Sequence, residues 1–142
     1  MNLSNFSLIL LRLAISYIWL TAGISKLVSP QFINTFPNTL STFAKGTHFA
    51  FYSNFLKEYI MPHSYIFAQL TIWGEILTGV AFLLGFPMVI AVMAGILMNV
   101  NYYLVSTSTP SQFINILLIF SQFAAYATGA GNCWGLSANL KK

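Results

Sequence analysis

Long apolar segments separated by short polar turns constrain the fold of this chain more than any other feature does. Four of them, at about residues 6–28, 62–84, 86–105 and 111–128, are near the roughly 20 residues that one helical crossing of a bilayer requires. Charged side chains make up only 6% of the 142 residues, whereas an ordinary soluble domain has about 25%. The sequence therefore predicts an all-α integral membrane protein, a four-helix bundle in a single domain over residues 1–142.

Proline and polar residues mark the ends of these segments. Pro30 ends the first, because the residue before a proline avoids helical geometry, and Pro62 suits the first turn of the second. The first segment has no basic start and no clear small-residue cleavage site before Lys26, so we expect it to be a retained helix and not a signal peptide.

The loop at residues 31–60 is too polar to cross a membrane but is rich in aromatic residues. Within it, Tyr52, Phe55, Leu56 and Tyr59 recur at helical spacing. This pattern is typical of an amphipathic helix that lies on a membrane surface. We therefore predict an interfacial helix between the first and second membrane spans.

The six basic residues are scattered along the chain, which carries a net charge of +4. They form no basic patch, so we expect lipid and not nucleic acid as a partner. Four crossings put both termini on one side of the cell membrane, and Lys141 and Lys142 favour the cytoplasmic side, although Lys45 and Lys57 in the long loop oppose this. With Cys133 as the lone cysteine, a site of several thiolates is excluded, and we expect no metal site and no covalently bound cofactor.

Polar and small residues recur at helical spacing within every predicted span, so each helix has one face suited to contact with its neighbours. Such residues often serve only helix packing and hydrogen bonding between helices. The four faces consist of Arg12, Ser16, Trp19, Gly23 and Lys26; Thr71, Glu75, Thr78 and Phe82; Gly95, Asn99 and either Tyr102 or Tyr103; and Gln112, Asn115, Ile119, Gln122 and Tyr126.

Arg12 and Glu75 are charged residues deep within predicted spans, where ionisable side chains are functional candidates. Their distances from the same membrane face differ by about 5 Å at 1.5 Å per residue, which is within reach of an arginine side chain. We therefore predict an Arg12–Glu75 ion pair and take both residues as the catalytic candidates. A buried pair of this kind either fixes the helix register or takes part in ligand binding or proton movement.

A polar layer nearer the opposite face is the candidate binding site for a quinone head group or another small amphipathic ligand. Tryptophans in such positions also serve simply as anchors at the interface. The ligand-binding candidates are Lys26, Trp19, Trp73, Gln69, Asn99 and His63.

Four motifs together resemble the DoxX/DoxD family of small four-helix membrane proteins. They are LRLAISYIWLTAGISKL at residues 11–27, GEILTGVAFLLG at 74–85, MNVNYYL at 98–104 and GAGNCWGL at 129–136. The matching family positions are Arg12, Lys26, Gly74 and Glu75. Family members commonly carry an arginine after the glycines and an aspartate after the WG element, where this chain has Asn132-Cys133 and Ser137.

The resemblance implies a membrane subunit of a quinone-linked oxidoreductase system in a respiratory chain. This subunit would be similar to the DoxD subunit of thiosulfate:quinone oxidoreductase and would work with other membrane or redox subunits. The chain has no cysteine cluster and no histidine pair within its spans, so a redox role requires a partner subunit or chemistry on a bound quinone. A non-catalytic accessory subunit of a larger respiratory complex is the alternative. A small transporter is the weakest interpretation, because the helices have no repeats or breaks.

Overall fold

The computed structural model describes residues 3–136, and these are almost entirely helical, with no β-strand among them. Two interpretations from the sequence fall on residues outside this range: the departure from the family pattern at Ser137 and the orientation indicated by Lys141 and Lys142. The helices are α1 (Leu3–Val28), α2 (Phe32–Gly46), α3 (Ala50–Phe55), α4 (Ser64–Leu84), α5 (Met88–Val105) and α6 (Thr109–Ala127). The all-α prediction is confirmed for the described residues.

Four long helices contact one another in a ring. α1 packs most extensively against α4, α4 contacts α5, α5 packs against α6, and α6 returns to α1. α2 lies across one end of this ring and contacts α4 and α5. α2 is therefore a fifth longer helix, which the sequence analysis did not resolve as a separate element.

Three helical stretches in the described residues are long and apolar enough to cross a membrane: α1, the continuous stretch Ala50–Leu84, and α5. Their outer surfaces carry exposed apolar side chains such as Leu13, Leu70 and Met93. Because water does not favour so much exposed apolar surface, these faces suit contact with lipid. The helices thus make the chain a multi-pass membrane protein. The helix α6 is not among the three stretches, because its composition is more polar than theirs.

The aromatic loop is helical, but its predicted apolar face is divided in two. Tyr52 and Leu56 are buried, whereas Phe55 and Tyr59 are exposed and stack on each other with ring centroids 5.7 Å apart. Tyr52, Leu56 and Ile60 are buried at four-residue spacing, and Phe55 and Tyr59 each lie one residue before a buried one, about 100° away around the helix. A π-helical turn at Leu56–Ile60 and a 3-10 turn at Met61–His63 separate α3 from α4. An interfacial position for this segment stays a prediction.

α2 is the more regular amphipathic helix of this region. It buries Phe36, Leu40 and Ala44 at four-residue spacing, and its exposed side includes Asn34 and Asn38. The buried residues join the second of two apolar clusters found within residues 3–136, together with parts of α3, α4 and α5. The first cluster lies between α1, α4, α5 and α6.

Close contact between α1 and α4 depends on two glycines. A Cβ atom added to Gly23 would lie 2.7 Å from Ile76, and one added to Gly79 would lie 2.7 Å from Leu20. Neither distance leaves room for a side chain, so the two backbones approach closely. The hydroxyl of Ser16 donates to the carbonyl of Gly79 at 2.8 Å in the same interface.

Candidate functional site

Glu75 lies at the centre of a small hydrogen-bonded cluster with Lys26 and Tyr102. The Lys26 Nζ atom is 2.7 Å from Glu75 Oε2 and 2.9 Å from Oε1, and the Tyr102 hydroxyl donates to Oε1. Glu75 is only 1% exposed, while 25% of the Lys26 side chain is exposed. The carboxylate is therefore buried with a countercharge and a hydroxyl donor, which lowers the cost of keeping it in an apolar environment.

Three helices bring this cluster together. Lys26 is in the last turn of α1, and its ammonium group also donates to the carbonyl of Ala22 at 3.3 Å, where a cation complements the helix C-terminus. Glu75 faces it from α4 next to Gly23, because the missing side chain of Gly23 lets α4 come near. Tyr102 completes the cluster from α5.

The predicted Arg12–Glu75 ion pair is wrong, since the partner of Glu75 is Lys26. An Arg12–Glu75 pair would require the start of α1 to be level with the end of α4. In the structure the first turns of α1 extend past the end of α4, so that Arg12 lies beside Gly85. Gly85 is about 15 Å of helix from Glu75, at 1.5 Å per residue.

Arg12 binds backbone carbonyls of the segment that follows α6. Its Nη1 atom donates to Ala130 at 3.1 Å and Cys133 at 2.9 Å, and its Nη2 atom donates to Trp134 at 3.5 Å. The side chain is 3% exposed, and its Nε atom has no hydrogen-bond partner within the described part of the chain. Arg12 thus joins the start of α1 to this segment through a planar group with several donors.

Little free space surrounds the Arg12 guanidinium group. A Cβ atom on Gly85 would lie 2.5 Å from Nη1, and one on Gly135 would lie 2.9 Å from it. Trp134 adopts a φ of 54°, a left-handed conformation that residues with a side chain rarely take. The arginine therefore fixes an unusual backbone path, which is a structural role.

Trp19 and Asn99 are buried but form separate contacts. Trp19 Nε1 donates to Gln122 Oε1 at 3.2 Å, and Gly95 provides the space, since a Cβ there would lie 1.8 Å from that oxygen. Asn99 Nδ2 donates to the carbonyl of Gly95 at 3.0 Å, within its own helix. Gln122 was identified by the sequence as an interface residue and not as a site residue.

The remaining ligand-binding candidates lie away from the Glu75 cluster. Trp73 is 49% exposed on the outer side of α4, and His63 is exposed with its Nδ1 atom 3.2 Å from the carbonyl of Tyr59. Gln69 is half-buried on α4. The six candidates are therefore not assembled around one position.

Tyr102 is the residue of the cluster that the site prediction missed. The sequence placed either Tyr102 or Tyr103 on the polar face of its helix, without a reason to choose between them. Both tyrosines fit the spacing from Asn99, because residues three and four apart share a helix face, and the hydrogen bond to Glu75 is what distinguishes Tyr102. Together Tyr102, Glu75 and Lys26 form a continuous hydrogen-bonded path of three groups that can each carry a proton.

Comparison with known proteins connects the chain to one family. The family model described as "TQO small subunit DoxD" matches residues 6–142, a range that includes every residue of the cluster and of the Arg12 contacts. No curated protein and no solved structure matches the chain.

Proposed function

This chain belongs to the DoxD family, and we propose that it is a membrane subunit of a thiosulfate:quinone oxidoreductase-like system, passing electrons from thiosulfate to a membrane quinone. The family membership bears out the resemblance that the sequence motifs indicated. It also supports partner subunits, because the matching family is described as a small subunit. Electrons would reach the quinone from such a partner within a respiratory membrane.

We further propose that α6 crosses the membrane as a fourth span. Its 19 residues are about 28 Å long at 1.5 Å per residue, close to the thickness of the hydrocarbon core. Its polar residues Asn115 and Gln122 are buried, whereas Phe113, Leu117 and Phe120 are exposed on the outside. Contacts with α1 and α5 support its place in a bundle of four crossing helices.

The cluster of Lys26, Glu75 and Tyr102 is the proposed working site. Reduction of a quinone to a hydroquinone adds two electrons and two protons, so a quinone-reducing subunit needs a route for protons through an apolar region. The hydrogen-bonded path from the partly exposed Lys26 through Glu75 to Tyr102 carries this proposal. The contacts of Arg12 with backbone carbonyls support a role in holding the fold.

The test compares the two carboxylates of the chain. The complex is purified in mild detergent with its partner subunits, and thiosulfate-dependent reduction of a quinone analogue is measured for Glu75→Gln and Glu58→Gln. Glu58 is exposed and serves as the matched control. We expect Glu75→Gln to reduce the rate at least about tenfold, as loss of a proton-transferring group does, and Glu58→Gln to have no effect. Full activity in a folded Glu75→Gln complex would exclude Glu75 from proton transfer.

A non-catalytic accessory subunit is the second candidate. It is favoured by the position of the Lys26–Glu75 pair beside Gly23, where α1 and α4 touch, because a pair there also fixes the helix register. A Lys26→Met/Glu75→Leu protein that still assembles and supports the normal rate would favour this role.

A further inference from the structure

An open cavity of about 470 Å³ lies between α2, the end of α5 and the start of α6. Its walls include Thr42 and Phe43 from α2, Tyr102 from α5, and Ser111 and Asn115 from α6. The volume is in the range of small-molecule binding sites, about 300–1,000 Å³. Neither the family match nor the sequence motifs assign a role to this space.

Hydrogen bonds fix the elements next to the cavity relative to one another. The Thr47 hydroxyl donates to the carbonyl of Leu104 at 2.6 Å, and the Tyr52 hydroxyl donates to Asn101 Oδ1 at 2.5 Å. These bonds tie the α2–α3 connection and α3 itself to the end of α5. The cavity is therefore a defined gap between fixed elements and not a space left by a loosely attached helix.

The chemistry of the walls favours an uncharged ring. The described residues that line the cavity include no charged side chain. Phe43 and Tyr102 provide aromatic rings for stacking, the Ser111 hydroxyl can donate and accept hydrogen bonds, and the Thr42 hydroxyl, which donates to Asn38, can still accept one. Such walls suit a neutral ring with carbonyl groups and equally the same ring with hydroxyl groups.

Tyr102 connects this cavity with the buried carboxylate. Its side chain contributes to the cavity wall, and its hydroxyl donates to Glu75. A ring held in the cavity would thus lie directly beside the proposed proton path.

We propose that this cavity binds the head group of the quinone, as a small uncharged ring that is accepted in both its carbonyl and its hydroxyl form. The ligand class rests on the proposed function, whereas the location rests on the cavity walls and on the Tyr102–Glu75 contact.

Binding to the isolated, detergent-purified chain tests the location without thiosulfate or partner subunits. The probes are duroquinone and its hydroquinone, whose fully substituted rings avoid addition to Cys133, and 2,4,6-trimethylbenzoate as a charged ring of similar size. Ser111→Leu fills the cavity from α6, and Ser121→Leu is the matched control, because Ser121 is on the same helix away from the cavity. Thr42→Leu and Thr35→Leu form the corresponding pair on α2, where each hydroxyl donates to a carbonyl four residues earlier.

We expect Ser111→Leu and Thr42→Leu each to raise the Kd of both neutral probes at least tenfold, with Ser121→Leu and Thr35→Leu within twofold of the original chain. Trimethylbenzoate should bind at least tenfold more weakly than duroquinone. Unchanged Kd values in both cavity variants, preferred binding of the benzoate, or no binding of either neutral probe would each overturn the proposed location. Those results would leave the proposed function to its own test, because thiosulfate-dependent reduction is measured separately on the complex.

Discussion

Two cations on α1, the buried Arg12 and the partly exposed Lys26, are stabilised in different ways. Near the end of the helix, Lys26 has a carboxylate partner in Glu75, which is also bonded to Tyr102. Near its start, Arg12 donates to backbone carbonyls of the segment after α6. Carbonyl oxygens do not take up or release protons under ordinary conditions, whereas a carboxylate, an ammonium group and a phenol can. The difference supports the proposed proton path at the Lys26 end and a role of Arg12 in attaching the segment after α6.

The largest expected effect comes from removing one member of the buried pair. Lys26→Met leaves the Glu75 carboxylate, which is 1% exposed, without its countercharge and should lower the free energy of unfolding by about 3–5 kcal/mol. Adding Glu75→Leu should recover part of that loss, since neither charge then remains. SDS titration of the purified protein in mixed micelles provides the measurement.

Arg12→Met serves as the control for this pair. Combined with Glu75→Leu, its effect should be additive within about 0.5 kcal/mol, because the two residues share no partner. If the unfolding free energies of the Arg12→Met and Glu75→Leu changes were as far from additive as those of the Lys26–Glu75 pair, Arg12 and Lys26 would not differ in their coupling to Glu75.

An intermediate effect is expected for Arg12→Lys. A lysine keeps the charge but lacks the planar group that reaches three carbonyls, so the loss should be about 1–3 kcal/mol. Hydrogen exchange should increase at residues 129–136 and stay unchanged in the middle of α4. Lys45→Arg, at an exposed position on α2, is the control. Equal protection of residues 129–136 in both proteins would show that the charge alone is sufficient.

The smallest effects on stability are expected at two of the predicted ligand-binding residues, which lie on the outer surface. Trp73→Leu and His63→Gln should each change the free energy of unfolding by no more than about 0.5 kcal/mol, as surface substitutions usually do. Trp19→Leu provides the contrast, because it removes the bond to Gln122 and leaves a gap in the core, with an expected loss of about 2–4 kcal/mol. Similar losses of unfolding free energy in Trp19→Leu and Trp73→Leu would mean that the difference in exposure between the two tryptophans does not determine the effect of the substitution.

Periodicity within a single helix predicted which residues face inward, but it could not predict how far one helix is displaced along another. Arg12, Ser16, Trp19 and Gly23 are all buried on one face of α1, as expected from their spacing. The Arg12–Glu75 pairing failed because it also needed the relative position of α1 and α4 along their axes. That position is set by close contacts such as Leu20 on Gly79, together with the segment that covers the start of α1.

In the aromatic loop, too, helical spacing predicted part of the structure but not all of it. The helical spacing of Tyr52 and Leu56 predicted helix formation correctly, and both residues are buried. Phe55 is exposed because it precedes the buried Leu56 by one residue and therefore points about 100° away from it around the helix. No residue type marks the π-helical turn at Leu56–Ile60 in the sequence, so the division between α3 and α4 was not predictable.

The helical stretch Ala50–Leu84 also has a consequence for the height of the protein in a bilayer. Its 35 residues would be about 50 Å long at 1.5 Å per residue, against a hydrocarbon core of about 30 Å. Immersing the whole stretch would require a tilt of more than about 50°, beyond the range of about 0–40° found for membrane helices. We therefore expect its first turns to rise into the lipid head groups, carrying the exposed rings of Phe51, Phe55 and Tyr59 to the depth where aromatic side chains anchor a protein vertically.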